Sequence, residues 1–344
     1  MNKILLGLSG GIDSAAAAAL LKEQGYTPVG CYLFLTEDSL SDKSSYERAA
    51  AVAEKLGIEL VTADYTDSFK ENVTDYFIKE YLSGRTPNPC IRCNPTVKIR
   101  SLIDTADKYG IDKIATGHYA LTSYSEKYNM TVLEAAPSKK DQSYFLYRLS
   151  SSQIARIIFP LGSFTDKEAV REYARNISLP NSGAPDSQEI CFIPDDNYIK
   201  YICTHSDFVP KKGNFIDTEG NIIGTHSGII NYTVGQRKGL GAFGEPRYVK
   251  EINARDNTVT LCKKDERFAV SLRAAELSFC TRLTSESFTA DVKIRSTAKA
   301  APAEITVKDG IMEVSFREKV LAPTPGQSAV IYDGSTVIGG GIIL

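Results

Sequence analysis

Apolar positions in the first 120 residues follow two alternating rhythms. NKILLGL (2–8), TPVGCYLFL (27–35), IELVTAD (58–64) and IDKIATGH (111–118) are short apolar runs of strand length. SAAAAALLKEQG (14–25), YERAAAVAEKLG (46–57), DSFKENVTDYFIKEYLSG (67–84) and PTVKIRSLIDTADKYG (95–110) place apolar residues at helical spacing and end on glycine. Strands separated by helices predict βαβ units and a parallel sheet covered on both faces, with ligands beyond the carboxyl ends of its strands. From about residue 205 the rhythm changes. Glycine becomes frequent, and FTADVKIRS, PAEITVKDGIMEVSFREKV and SAVIYDGSTVIGGGIIL alternate in period two, with Asp-Gly turn signals at 309–310 and 333–334. The expected organisation is α/β: a parallel-sheet domain over 1–204, a small mixed domain over 205–268, and a β-barrel-like domain over 269–344.

Composition narrows the class. The chain has 344 residues, 42% apolar and 24% charged, as in ordinary globular proteins. No run of 18 apolar residues is present, and the first residues read as a strand and a glycine turn, so neither a membrane span nor an export signal is expected. Seven cysteines are an odd number and too few for a disulfide scaffold, which points to a reducing, cytoplasmic setting. The net charge of −2 gives no global attraction to nucleic acid. RNA binding would then rest on local pairs such as Lys139-Lys140, Lys211-Lys212, Arg237-Lys238 and Lys263-Lys264, each of which also suits a solvated surface.

Two stretches carry chemistry. GLSGGIDS (7–14) joins the first strand to the first helix. Gly10 and Gly11 let backbone approach an anion, Ser9 and Ser14 add hydroxyls, and Asp13 suits either a magnesium ion or fixing of the loop. The loop lacks the G-K-[S/T] of a Walker A motif and the G-x-G-x-x-G of dinucleotide folds. In TPNPCIRCN (86–94), Cys90 and Cys93 form a C-x-x-C pair, which by spacing alone suits half a metal site, a redox couple, a nucleophile with a neighbour, or two buried thiols. Cys191 lies in a loop-like context, whereas Cys31, Cys203, Cys262 and Cys280 read as small apolar fillers.

SGGIDS resembles the pyrophosphate loop of the ATP pyrophosphatase (PP-loop) superfamily. GLSGGIDS, TPNPCIRCN, ATGHYA, KKDQSYFLYRL, FPLGSFTDKEAVREYA, DSQEICFIP and YTVGQRKGLG, in that order, resemble the MnmA (TrmU) family of tRNA-specific 2-thiouridylases along the whole chain. The resemblance implies an N-terminal PP-loop domain that uses ATP and Mg2+ to adenylate the wobble uridine (position 34) of tRNAs for Lys, Glu and Gln. It implies Cys93 as nucleophile and Cys191 as persulfide carrier, which leaves a Cys93–Cys191 disulfide. Upstream stands a persulfide donor protein, a cysteine desulfurase or a relay. By the same matching, Gly7, Leu8, Ser9, Gly10, Gly11, Ile12, Asp13, Ser14, Leu33 and Gly117 hold the nucleotide. Asn88, Pro89, Cys90, His118, Lys140, Asp141, Gln142, Arg295, Ser296 and Gln327 meet the RNA.

Leu33 stands where many members have Met. Pro95 and Ile99 also depart from the common pattern, and Pro95 is expected in a first helical turn, where proline is tolerated. Cys90, an Asp in many members, opens an alternative: a [4Fe-4S] cluster on Cys90, Cys93 and Cys191. A small-molecule ATP pyrophosphatase ligase and a non-catalytic RNA-binding protein are the other readings. Neither has a use for both Cys93 and Cys191.

Overall fold

The computed structural model describes residues 2–180, 190–193 and 195–344. The first half carries seven strands: β1 (Lys3–Gly7), β2 (Thr27–Phe34), β3 (Leu60–Asp64), β4 (Lys113–Ala115), β5 (Ala120–Ser125), β6 (Met130–Ala135) and β7 (Ile157–Ile158). Five of them form a parallel sheet in the order β3-β2-β1-β4-β7. The two chain directions away from β1 make its carboxyl end a topological switch point, and the glycine loop emerges there. Helix α1 (Ile12–Glu23) follows that loop. Its run Ala15–Ala19 is buried, and these small side chains let the helix lie close to its neighbours.

The helix starting at Pro89 continues as one helical path to Lys108, through a π-helical turn at Asn94–Lys98. Pro95 therefore sits inside the path, not in its first turn as the sequence suggests. Proline has no N–H for the preceding carbonyls, and a locally widened turn absorbs the missing bond. The Pro95 carbonyl accepts from Gln153 Nε2 at 2.9 Å.

The middle of the chain contributes β8 (Gly213–Ile216), β9 (Ile222–His226), β10 (Tyr248–Asn253) and β11 (Thr258–Cys262) as a mixed sheet in the order β10-β11-β8-β9. Then β12 (Phe268–Phe279), β13 (Ser287–Lys293), β14 (Ala301–Lys308), β15 (Ile311–Leu321), β16 (Ser328–Asp333) and β17 (Thr336–Ile343) form an antiparallel sheet that β12–β17 pairing closes into a barrel. The expected Asp-Gly turns link β14 to β15 and β16 to β17. The β5–β6 hairpin is not evident in the sequence pattern. It extends the barrel sheet from the first half of the chain, through a Thr336–Glu134 pair and the Ala135 amide donating to the Ser335 carbonyl at 2.8 Å. Below this junction Tyr144 donates to the Ser328 carbonyl at 2.9 Å, and Tyr147 meets the Ser328 hydroxyl at 3.1 Å.

Candidate active site: a nucleotide loop beside three thiols

The glycine loop is held from two sides. Gly10 has φ +76°, and a Cβ there would lie 2.6 Å from the Ser45 carbonyl. Gly117, just past β4, is pressed so closely on the loop that a Cβ would lie 2.9 Å from the Ser14 amide nitrogen. Ser14 Oγ accepts from the Ser9 amide at 3.2 Å and donates to the Gly11 carbonyl at 2.9 Å. Gly11 caps α1 without a side-chain bond, and the amides of Ile12, Asp13 and Ser14 find no acceptor among the described residues. Three open N–H groups at the positive end of a helix form an anion cradle of phosphate size.

Asp13 is tied to residues outside the loop. Its Oδ1 accepts from Tyr119 Oη at 2.8 Å, and its Oδ2 pairs with Lys167 Nζ. Lys167 and Tyr119 were not singled out from the sequence, although both lie in the blocks FPLGSFTDKEAVREYA and ATGHYA. Leu33 is the penultimate residue of β2, partly buried against the sheet core.

The C-x-x-C pair is helical: Asn88 is the N-cap, Pro89 the first helical residue, and Cys90 and Cys93 are three positions apart, neighbours on one face. Cys93 is 5% exposed, while Cys90 and Cys191 are exposed. Cys191 reaches this helix through its neighbours. Phe192 is buried between Phe69, Phe77 and Tyr201, with ring centroids 5.6, 5.4 and 5.3 Å away. Phe192 and Ile193 share one hydrophobic cluster with Cys93. The three thiols lie within one another's electrostatic reach and that of Lys98. Of the block DSQEICFIP, residues 186–189 and 194 lie outside the described residues.

Charge and burial compete here. Burial pushes the Cys93 thiol up to about 12, against the pull of the Lys98 ammonium and of the Lys98 amide, which donates to its sulfur. Burial also raises Cys90, whose sulfur is crowded although the residue meets solvent; Lys98 again opposes. Lys98 would itself be lowered by burial, but Cys93, Cys191 and Cys90 outweigh that and raise it. The site is electropositive as the thiol chemistry demands, yet in the resting protein burial keeps Cys93 protonated. Arg92, the other cation considered, is turned elsewhere: it covers the Tyr76 ring at 4.7 Å and pairs with Glu276 at 3.2 Å. Lys98 has no carboxylate partner among the described residues.

His118 adjoins Gly117 and feels the same ammonium. Burial first, then Lys98, lowers its pKa to about 3, so its ring is neutral; Nδ1 meets Thr116 Oγ1 at 2.8 Å. Of the consecutive residues just past β4, Gly117 thus touches the nucleotide loop and His118 lies in the field of the Lys98 ammonium.

The other expected RNA positions are spread more widely. Asp141 accepts from the Ala136 and Ser143 amides, at 3.0 and 3.1 Å, and from the Ser143 hydroxyl. Gln142 exchanges backbone and side-chain hydrogen bonds with Tyr119, beside His118. Lys140 is exposed on that turn. Gln327 Nε2 donates to the Thr86 carbonyl at 2.8 Å, two residues before Asn88. Arg295 spends its guanidinium on the Leu321 and Ala322 carbonyls, with Ser296 half-buried next to it, and neither has a described contact with the thiols. Among the described residues no group of three or more His, Cys, Asp or Glu side chains stands close enough together to hold a metal ion.

Comparison with known proteins follows this geometry. The family model described as tRNA methyl transferase HUP domain matches residues 2–195, the tRNA methyl transferase PRC-barrel domain 200–263, and the aminomethyltransferase beta-barrel domain 269–343. A tRNA-specific 2-thiouridylase MnmA from Acetivibrio thermocellus is 45% identical, covering 99% of each chain. MnmA 2 of Caldanaerobacter subterraneus subsp. tengcongensis is 43% identical over 99% of this chain and 98% of its own. A solved 4-thiouridine synthetase–RNA complex with bound ATP is 18% identical, with 59% of this chain and 50% of that one covered, at a TM-score of 0.35.

Proposed function

We infer the reaction from one premise: this chain belongs to the MnmA family of tRNA-specific 2-thiouridylases. It is a tRNA-uridine 2-sulfurtransferase that uses ATP. In the proposed sequence the cradle at Gly10–Ser14 binds the β- and γ-phosphates. The O2 oxygen of the uridine at position 34 in tRNAs for Lys, Glu and Gln attacks the α-phosphorus, and pyrophosphate leaves. Adenylation turns a poor leaving oxygen into AMP, and fixed amides that meet the charge on the phosphates are the chief catalytic device for that step. Magnesium enters bound to the ATP phosphates; Asp13, already engaged by Tyr119 and Lys167, is given no step with it.

Sulfur arrives on Cys191 from a persulfide donor protein, to which an exposed thiol is accessible. The terminal sulfur of Cys191–S–S⁻ attacks C2 of the adenylated uridine, and AMP leaves with the old oxygen. The Cys93 thiolate then attacks Cys191 Sγ, the S–S bond to the base breaks, and 2-thiouridine departs. The two electrons that reduce the transferred sulfur come from the thiols, which are left as a Cys93–Cys191 disulfide. Because Cys93 is protonated at rest, its activation belongs to the loaded complex, with Lys98 as the stabilising charge. Asn88, Pro89, Cys90, His118, Lys140, Asp141, Gln142, Arg295, Ser296 and Gln327 are assigned to RNA, and the three domains to 1–204, 205–268 and 269–344. No helix among the described residues is long and apolar enough to cross a membrane, and a cytoplasmic setting with tRNA and a reductant is part of the proposal.

What supports this reading is the junction at Gly117–His118: Gly117 packs on the phosphate loop, and His118 lies in the field of Lys98, the ammonium that the three thiols also act on. It is tested with unmodified tRNA, ATP and a persulfide donor. 2-Thiouridine is expected from the native protein and from neither Cys93→Ala nor Cys191→Ala. ATP turnover with a small amine, independent of tRNA, would favour the ligase reading instead.

A further inference from the structure

The reaction above accounts for two of the three gathered thiols and leaves Cys90 without a role in sulfur transfer. It also ends in an awkward place, because one half of the product disulfide, Cys93, is 5% exposed. We propose that Cys90 is a resolving thiol that moves the disulfide from the buried Cys93 to the surface, where a reductant can clear it. The inference rests on the persulfide reading.

Its basis is placement. Cys90 and Cys93 stand three apart on one helical face, about 5–6 Å between their Cβ atoms. That span is wide enough for the Cys191 sulfur to stand between them, bonded to one at ~2.05 Å and open to attack by the other. Phe192 and Ile193, buried in the cluster that contains Cys93, bring the neighbouring Cys191 to this helix, and its charge acts on both other thiols. Exposure orders the trio: Cys93 is buried, whereas Cys90 and Cys191 both reach solvent. Once Cys93 and Cys191 are joined, the Lys98 ammonium has a single thiol left beside it to favour as thiolate, that of Cys90.

The step is thiol–disulfide exchange. The Cys90 thiolate attacks Cys191 Sγ, the Cys93–Cys191 bond breaks, and Cys93 leaves as thiolate and takes up a proton. A Cys90–Cys191 disulfide forms with no net change in oxidation state. A dithiol reductant then supplies two electrons and two protons to that exposed bond and becomes a disulfide itself. The resemblance places Cys90 among the RNA-contact residues, so exchange follows departure of the thiolated tRNA.

The test follows disulfides, not product. The native protein and Cys90→Ser are each persulfidated, given one equivalent of tRNA and ATP, quenched in acid, alkylated and mapped by peptide mass spectrometry. The native protein is expected to yield a Cys90–Cys191 peptide that grows as Cys93–Cys191 declines, whereas Cys90→Ser accumulates Cys93–Cys191 alone. Dithiothreitol is expected to clear that trapped disulfide at least about tenfold more slowly than the native protein's. Absence of a Cys90–Cys191 peptide, with equal clearance in the two proteins, overturns the resolving role and leaves the persulfide reading intact. Absence of any Cys93–Cys191 peptide in a folded Cys90→Ser protein that has made 2-thiouridine overturns both. If Cys90→Ser does not fold, the native peptide map decides by itself.

Discussion

Lys98 is a half-buried cation whose charged neighbours among the described residues are thiols, not carboxylates, and its effect on Cys93 has a definite sign. A positive charge favours the thiolate, so removing it raises a thiol that burial has already pushed up to about 12. Lys98→Met is expected to slow alkylation of Cys93 several-fold at a pH of about 8.5, with Lys98→Arg close to native. A change that only loosened packing would expose Cys93 and speed its labelling, which separates charge from structure. His118 gives a second residue-scale expectation. Its folded pKa of about 3 lies below the unfolded value, so the unfolded chain takes up the proton first as pH falls. This contribution is essentially complete above about pH 6.5 and declines below it, by about 2 kcal/mol between about pH 7 and 5. Urea unfolding should show that loss in the native protein and less of it in His118→Gln. At this scale the sequence reveals residue types but not neighbours. Cys93 and Cys191 are recognisable by resemblance, whereas the charge competition around them comes from packing between segments almost a hundred residues apart.

Among the elements, the nucleotide loop is legible because its determinants are local: a strand, two glycines and a helix in immediate succession. Gly117 is the part supplied from a distance, by the end of β4. Gly117→Ala would put a methyl 2.9 Å from the Ser14 amide nitrogen, and either the loop or the strand end must move. ATP affinity is expected to fall about tenfold or more, roughly 1.4 kcal/mol, with the melting temperature little changed; calorimetric titration checks this. The Phe192 anchor makes the complementary case. Phe192→Ala removes a ring buried among Phe69, Phe77 and Tyr201, at a cost of about 3–5 kcal/mol to folding. It should also lower the yield of oxidative Cys93–Cys191 cross-linking, because the segment carrying Cys191 loses its hold on the helix of Cys93. The path from Pro89 to Lys108 shows where local rules mislead. Proline inside a helix argues for a boundary, but the widened turn at Asn94–Lys98 lets it pass without one.

For the whole molecule, the alternation of strands and helices followed by period-two strands was enough to indicate a parallel α/β unit and a closed β unit. It did not indicate how they join. The β5–β6 hairpin carries polar residues and a short turn, and the strand it extends, β17, lies about two hundred positions further along the chain. Nothing near the hairpin in sequence announces that partner. The junction constrains motion: Ser328 of the barrel is gripped by Tyr144 and Tyr147, while Gln327 next to it holds the carbonyl of Thr86 on the approach to the Cys90–Cys93 helix. A barrel tethered at both places cannot swing like a door on a hinge. Any displacement of the barrel from the first half of the chain would have to break these bonds together, so on the proposed reading the adaptation falls to the RNA more than to the protein.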